Sequence, residues 1–561
     1  MDLLNLDIFK KVDPIYKKSF ATSFIIAVVV YFTMLTNLFW GSHDWINIQK
    51  NINFLDYIYI GRFSVTWLQS LFGFKLIPYI NCLLFIIISI ISTLLIAHYW
   101  KLEKNSRLLV LFSSFWTLSI AALSVMYYRF ISTDLVFGLF SIILSIILAQ
   151  QANHSHKIKK VFLLILSYIF LFIFGFGAYP PLINSILVLL GGKFALDLKN
   201  SNFSIDGIKN FFSEHKFFFA ILFLAIISNF ACMHIFNSLG YLKTDEYNIS
   251  LISLGSVGTQ LIALIKHSFE ALFYPFPYVS RYVKILEFST VAIAVLYYIF
   301  SIFKNSGLNL AKKFVCSAAI VFLFYGILLS SLFSYFVSDG ITNLELRIDH
   351  FGYELFYLLC IAIILQIKES KAIKNIAVII VFLIIWNFAT NNMCAQKNLL
   401  LSFNLERELQ TRLLNRLETN DIFSYNKRYL LFEIGHYESF KKKLYSSNKY
   451  KLGNDELYFL DDIFPQFMPN YLHFLSQKNF LDNEIYHCVF NSYDENFALY
   501  KESERIKELH FEEIYDFLMN DAKAWPDKNS VFVSENCIVV VFDENRLNYL
   551  KEKIKDYKPQ K

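Results

Sequence analysis

Charged residues are scarce in this sequence of 561 residues: Asp, Glu, Lys and Arg make up 17% of it, against roughly a quarter in soluble globular proteins. Hydrophobic residues reach 56% and the mean hydropathy is +0.44, which excludes a disordered chain. Glycine and proline are few, at 18 and 10, so a collagen-like repeat is excluded. The seven cysteines show no pattern: Cys82, Cys232, Cys316 and Cys360 fall inside apolar runs, and Cys394, Cys488 and Cys537 beyond them. Without a Cys-x-x-Cys spacing, a disulfide scaffold, a zinc site and a redox motif all lose their basis. Nucleotide-binding signatures are missing too. The chain has no Gly-x-x-x-x-Gly-Lys loop, no Gly-x-Gly-x-x-Gly after a strand, and no Asp-x-Asp in a soluble cytoplasmic domain, so nothing binds a nucleotide or nucleotide-sugar inside the cell. The net charge of +6 is modest, and its positive residues lie in short clusters between apolar runs. Nucleic acid is therefore not an expected partner.

What the sequence does have is length in its apolar runs. Crossing a hydrocarbon core of about 30 Å takes roughly 20 apolar residues in a helix. Eleven such runs precede residue 393, at about 19–40, 76–98, 108–127, 132–150, 161–179, 181–197, 217–238, 283–303, 314–336, 351–367 and 375–392. The first follows Lys10, Lys11, Lys17 and Lys18 and has no small-residue cleavage site after it, the pattern of a retained helix and not of a signal peptide. The expectation is a mainly α, polytopic membrane module over 1–392. A polar stretch over 393–561 follows it, with strands at Arg428–Ile434 and Val531–Phe542 and helices at Phe403–Leu417 and Glu504–Met519, hence a small C-terminal α/β domain.

Basic residues orient the spans. With the N-terminus in the cytoplasm, the inner loops carry Lys101, Lys104 and Arg107, then Lys157, Lys159 and Lys160, then Lys193, Lys199 and Lys209, then Lys304, Lys312 and Lys313, then Lys368, Lys371 and Lys374. An odd number of crossings puts the tail outside the cytoplasm. The weakest links are the run interrupted by Gly191 and Gly192 and the stretch Leu251–Phe276, which reads as an interfacial or re-entrant helix.

Ionisable groups near membrane helices are costly and need a reason; most of those left are on the outer side. The first outer loop, 41–75, contains His43-Asp44-Trp45, Asp56, Gly61-Arg62-Phe63 and Trp67. Asp44 stands at the mouth of the first helix, where a carboxylate can take a proton from a hydroxyl; a loop residue or helix cap is the plainer reading. Residues 54–74 mix aromatics with almost no charge, as a helix in the headgroup plane does, and Trp45 and Trp67 fit an aromatic belt equally well. Arg129, ahead of Ser132 and Asp134 at a helix start, suits a phosphate or snorkels to the interface. In Phe176-Gly177-Ala178-Tyr179-Pro180-Pro181, the prolines break the helix and Tyr179 offers a ring and hydroxyl of the kind sugar sites use. Arg347, between Glu345 and Asp349, either binds a lipid phosphate or joins a surface ion network. His350 alone reads as an interfacial histidine, and neither His43/Asp44 nor Asp349/His350 has metal-ligand spacing.

Taken together, His43-Asp44-Trp45 after a first helix, then Gly61-Arg62-Phe63 and Trp67, a late Leu346-Arg347-Ile348 and an outer polar tail resemble the phage-type serotype-converting glucosyltransferases, polytopic glycosyltransferases of the GT-C class. The resemblance covers mainly the membrane module. It implies transfer of a hexose, typically glucose, from a polyprenyl-phosphate carrier to O-antigen or another surface glycan at the outer face of the bacterial inner membrane, with a separate synthase and flippase supplying the donor. Carried over by position, Asp44 is the general base, Arg62 the Gly-Arg element and Arg347 the arginine before a late helix. Relatives often show two adjacent acids where Asp44 is flanked by His43 and Trp45, which leaves Asp56 as a second carboxylate and gives a divalent metal no support in the sequence. No cofactor is expected. Two other readings compete: a polysaccharide polymerase, whose large loop lies late in the membrane half, and a non-enzymatic flippase or transporter for lipid-linked sugar, which requires charges at mid-membrane and broken helices.

Overall fold

The computed structural model of the chain describes residues 12–37, 62–65, 78–127, 129–240, 257–273, 281–305, 309–337, 350–367, 371–427, 429–434, 488–490, 511–535 and 537–554. They fall into two compact units, one running to Lys397 and one from Asn398 onward.

The first unit is helical throughout. Its helices are α1 (Pro14–Val30), α2 (Pro78–Tyr99), α3 (Ser106–Leu118), α4 (Ile120–Tyr127), α5 (Arg129–Asn153), α6 (Lys157–Ile169), α7 (Ile183–Asn200), α8 (Ile205–Ser238), α9 (Val257–Phe273), α10 (Arg281–Lys304), α11 (Leu310–Ser331), α12 (Tyr353–Leu365) and the part up to Lys397 of the long α13 (Lys371–Glu418). Local chemistry sets several starts. Asp13 accepts the Ile15 amide ahead of Pro14, Asn105 accepts those of Arg107 and Leu108, Ser204 that of Gly207, and Asn309 that of Lys312. Such caps are worth about 1 kcal/mol each.

Among the described residues, eight helices are long and apolar enough to cross a membrane, and a ninth crossing results if α3 and α4, bent by 49° at Ser119, count as one. The protein therefore has the helices of a membrane protein. Every one of the eleven apolar runs overlaps a helix, and the two that fall short have physical reasons. The first run breaks at Tyr31 between α1 and the turn Phe32–Thr36. Helix α12 has 13 residues, about 20 Å at 1.5 Å per residue, and every one of them is buried. A helix apolar on all sides is a core helix, and α12 packs against α3, α7, α10 and α11. The Gly191-Gly192 pair, expected as an interruption, lies within the continuous α7. There the glycines allow close packing: a Cβ on Gly191 would stand 2.9 Å from Ile327, and one on Gly192 2.9 Å from Trp100 and 3.0 Å from Leu359.

Several loops at the lysine-rich ends of the helices are tied to one another. Lys104 pairs with Asp13 at 3.0 Å and Lys374 with Glu103 at 3.5 Å, while Asn305 donates to the Asn202 carbonyl at 3.2 Å. The Ile15 amide and then Lys104 hold the Asp13 carboxyl below its usual range. Lys193 departs from its expected place in a loop: it is 1% exposed and pairs with Asp197 one turn along α7 at 2.6 Å.

The second unit carries a four-stranded sheet from β1 (Leu430–Ile434), β2 (Cys488–Phe490), β3 (Val531–Val533) and β4 (Cys537–Val541), in the order β2-β1-β4-β3. β1 runs parallel to β2 and β4, with Phe432 opposite Cys488 and Val539, and β3 is antiparallel to β4. The single strand expected over Val531–Phe542 is thus a hairpin, turned at Ser534, whose amide donates to the Cys537 carbonyl at 2.9 Å. Helices α14 (Phe511–Asp516) and α15 (Glu544–Ile554) help cover the sheet, with Ile434, Ile514, Phe517, Val539, Val541, Leu547 and Leu550 in the core. The expected helix at Phe403–Leu417 is the end of α13. Arg416 in its last turn lies over the Trp525 ring at 4.0 Å and donates to Asp527 O and Ser530 Oγ, both at 2.7 Å.

Candidate functional site

Asp44, Trp45, Asp56 and Arg347 lie outside the described residues, as does the side chain of Arg129, whose backbone opens α5. Ser132 and Asp134, expected as caps, lie beyond the first turn of α5 and are buried. Arg62 and Tyr179, far apart in sequence, are brought together: the guanidinium carbon lies 4.9 Å from the centre of the Tyr179 ring.

The approach is built from small residues and a widened helix. Beyond α6 the chain forms a π-helical segment, Phe170–Phe176, and then a 3₁₀ turn over Pro180–Leu182. Such π segments are rare and gather at functional sites. The Ser64 amide donates to the Gly177 carbonyl at 3.1 Å, and Phe63 packs on Phe172 and Phe236 at ring distances of 5.5 and 6.2 Å. A Cβ at Gly177 would stand 2.6 Å from Phe63 and 2.2 Å from the Ile173 carbonyl, so glycine is required for this contact. Tyr179 is buried, 4% exposed.

Behind Tyr179 lies the start of α12. The Phe351 ring meets Tyr179 at 6.2 Å, and His350 stacks on Trp116 at 4.0 Å. The His350 Nδ1 is 3.3 Å from Ser119 Oγ, the hydroxyl that accepts the Ala122 amide and starts α4 after the bend. His350 is fully buried, not interfacial as its sequence position suggested. Asn184 and Ser334 exchange two hydrogen bonds of 2.8 Å, and Ser185 donates to the Phe351 carbonyl. Gly352 passes so close to the Ser331 carbonyl that a Cβ would stand 1.9 Å from it. Among the described residues, His350 Nε2, Trp116 Nε1 and Thr117 Oγ1 are buried without a hydrogen-bond partner. This wall is aromatic, with hydrogen-bonding capacity left over, and the arginine stands at its edge.

Two further features escaped the sequence reading. Lys284 and Glu287, one turn apart at the start of α10, form an ion pair of 3.1 Å with side chains 4% and 3% exposed. Their signal was visible, as two opposite charges three residues apart inside the apolar run 283–303. The second is an amide brace on α13. Asn392 donates to Tyr31 Oη at 2.9 Å and to the Leu118 carbonyl at 3.3 Å, and Gln396 donates to the Val30 carbonyl at 2.9 Å and accepts the Met34 amide at 3.2 Å. It satisfies backbone groups that the helix breaks at Tyr31 and Ser119 set free. Among the described residues no three His, Cys, Asp or Glu side chains stand together as metal ligands.

No protein-family model matches the sequence, and no curated protein matches it significantly. The likeness to glucosyltransferases therefore rests on short sequence motifs alone.

Proposed function

We propose that the protein is a membrane glycosyltransferase of GT-C type that moves a hexose, glucose by the resemblance, from a polyprenyl-phosphate carrier to O-antigen or another surface polysaccharide. The observation that carries this reading is the seating of Arg62 on Tyr179, which sets a phosphate-binding cation against an aromatic wall with unused hydrogen-bonding groups. In this account the long apolar helices cross the bacterial inner membrane, the N-terminus is cytoplasmic, and the reaction and the C-terminal α/β domain are on the outer side. Asp44 accepts the proton of the acceptor hydroxyl as its oxygen attacks the anomeric carbon. The bond from that carbon to the lipid-phosphate oxygen breaks, with inversion, and polyprenyl phosphate leaves carrying the extra negative charge. Arg62, Arg129 and Arg347 stabilise that charge. Tyr179 and Trp45 hold the sugar, and Asp56 is the second carboxylate near the base. No metal or other cofactor takes part, and the donor comes from a separate synthase and flippase.

A transporter reading has its own support. The 49° bend at Ser119 and the buried Lys284–Glu287 pair are the broken helix and intramembrane charges that such proteins use. One assay separates the two: protein in liposomes carrying polyprenyl-phosphate-[14C]glucose, with surface glycans added outside. A glycosyltransferase labels the glycan. Movement of the lipid between leaflets with no label on the glycan establishes the transporter instead.

A further inference from the structure

The wall behind Tyr179 depends on where the first turn of α12 sits, and a buried charge pair fixes that turn. Tyr353 and Tyr357 lie one turn apart on α12, their rings perpendicular at 4.6 Å. On α10 the Lys284 Nζ donates to Glu287 at 3.1 Å and to the Tyr353 hydroxyl at 2.9 Å. It also stands 4.7 and 5.3 Å from the centres of the Tyr353 and Tyr357 rings. The Tyr353 hydroxyl is bonded in turn to Tyr357 and to the carbonyl of Ala271 on α9. One ammonium thereby ties three helices together two residues from Phe351.

Stability alone does not account for these charges. A buried ion pair pays a large desolvation cost, and apolar residues of similar volume commonly hold a fold as well or better. Directional hydrogen bonds do supply what an apolar contact does not, a single axial and rotational register for the helix that makes them. We propose that Lys284, Glu287 and Tyr353 are positioning residues: they set the register of the first turn of α12, so that His350 and Phe351 form the wall against which Arg62 and Tyr179 meet substrate. The claim rests on the glycosyltransferase reading for the reaction it serves, but not for the register itself.

The test is the double variant Lys284→Met with Glu287→Leu in the full-length protein in nanodiscs, which removes both charges together and leaves neither unpaired. Three quantities are measured: thermal unfolding, hydrogen exchange of amides 350–357, and hexose transfer from polyprenyl-phosphate-glucose, with kcat and KM resolved. The expected result is an unchanged unfolding midpoint, faster exchange over 350–357, and a kcat lower by roughly 10²-fold, the scale of an ångström-sized misplacement, with KM for donor little changed. Tyr353→Phe keeps the ring and loses only the hydroxyl, so it should shift exchange and kcat in the same direction by less, and it decides the matter if the double variant does not fold. Wild-type exchange over 350–357 in either folded variant overturns the proposal. If the wild-type protein transfers no hexose, the glycosyltransferase reading falls, and exchange alone still decides the register.

Discussion

Two ion pairs at the lysine-rich ends of the helices and one near the starts of α10 and α12 treat charge in opposite ways. At the lysine-rich ends, Lys104–Asp13 and Lys374–Glu103 are ion pairs with side chains 28–60% exposed, where water screens the interaction and a pair contributes little. Near the starts of α10 and α12, Lys284–Glu287 is closed off from solvent, with His350 and Glu354 buried on α12 or just before it. The lesson is one of cost. Exposed lysines are cheap to place, whereas a charge kept inside an apolar bundle carries a large desolvation cost.

The comparison breaks most sharply at Lys284. Lys284→Met alone leaves Glu287 buried without its cation and should cost about 3–5 kcal/mol, read as a large fall in thermal stability in detergent; a fall no greater than that of an exposed lysine variant would erase the distinction between the two ends. Asn392→Leu should come next. It removes the donor to the Tyr31 hydroxyl and to the Leu118 carbonyl at the two helix breaks, at about 1–3 kcal/mol, and faster proteolysis near Tyr31 or Ser119 would localise the damage. The smallest effect belongs to Lys104→Ala, for which no change in midpoint is expected at neutral pH. Because the folded Asp13 carboxyl titrates below its ordinary 3.8, its small contribution is present above that value and is lost as pH falls through the folded value. A pH titration of unfolding comparing wild type with Asp13→Asn should therefore converge only below about pH 4.

Much of this contrast was legible in the sequence, and the rest was not for identifiable reasons. Long apolar runs favour helices, which satisfy their own backbone in lipid, and all eleven runs overlap helices, eight of them long and apolar enough to cross a membrane among the described residues. The bend at Ser119 lies inside the uninterrupted run 108–127 and is stabilised by Asn392 and Tyr31, which are far away in the chain; local composition carries no trace of it. Gly191 and Gly192 signalled a break because glycine weakens helices, yet here it serves close packing against Trp100 and Ile327. Lys284 and Glu287 were visible as a pair, but their meaning depends on Tyr353, on another helix. Arg62 stands out in the sequence as the Gly-Arg element of the resemblance and Tyr179 for its ring and hydroxyl. That they touch is a fact of tertiary structure.

Hexose transfer with a first-loop carboxylate as base stands or falls with the Asp44→Asn variant, purified and given polyprenyl-phosphate-[14C]glucose with surface glycan. Label is expected on the glycan with wild type and none above background with Asp44→Asn, while the variant inserts and unfolds as wild type does. Near-normal labelling by Asp44→Asn would contradict it.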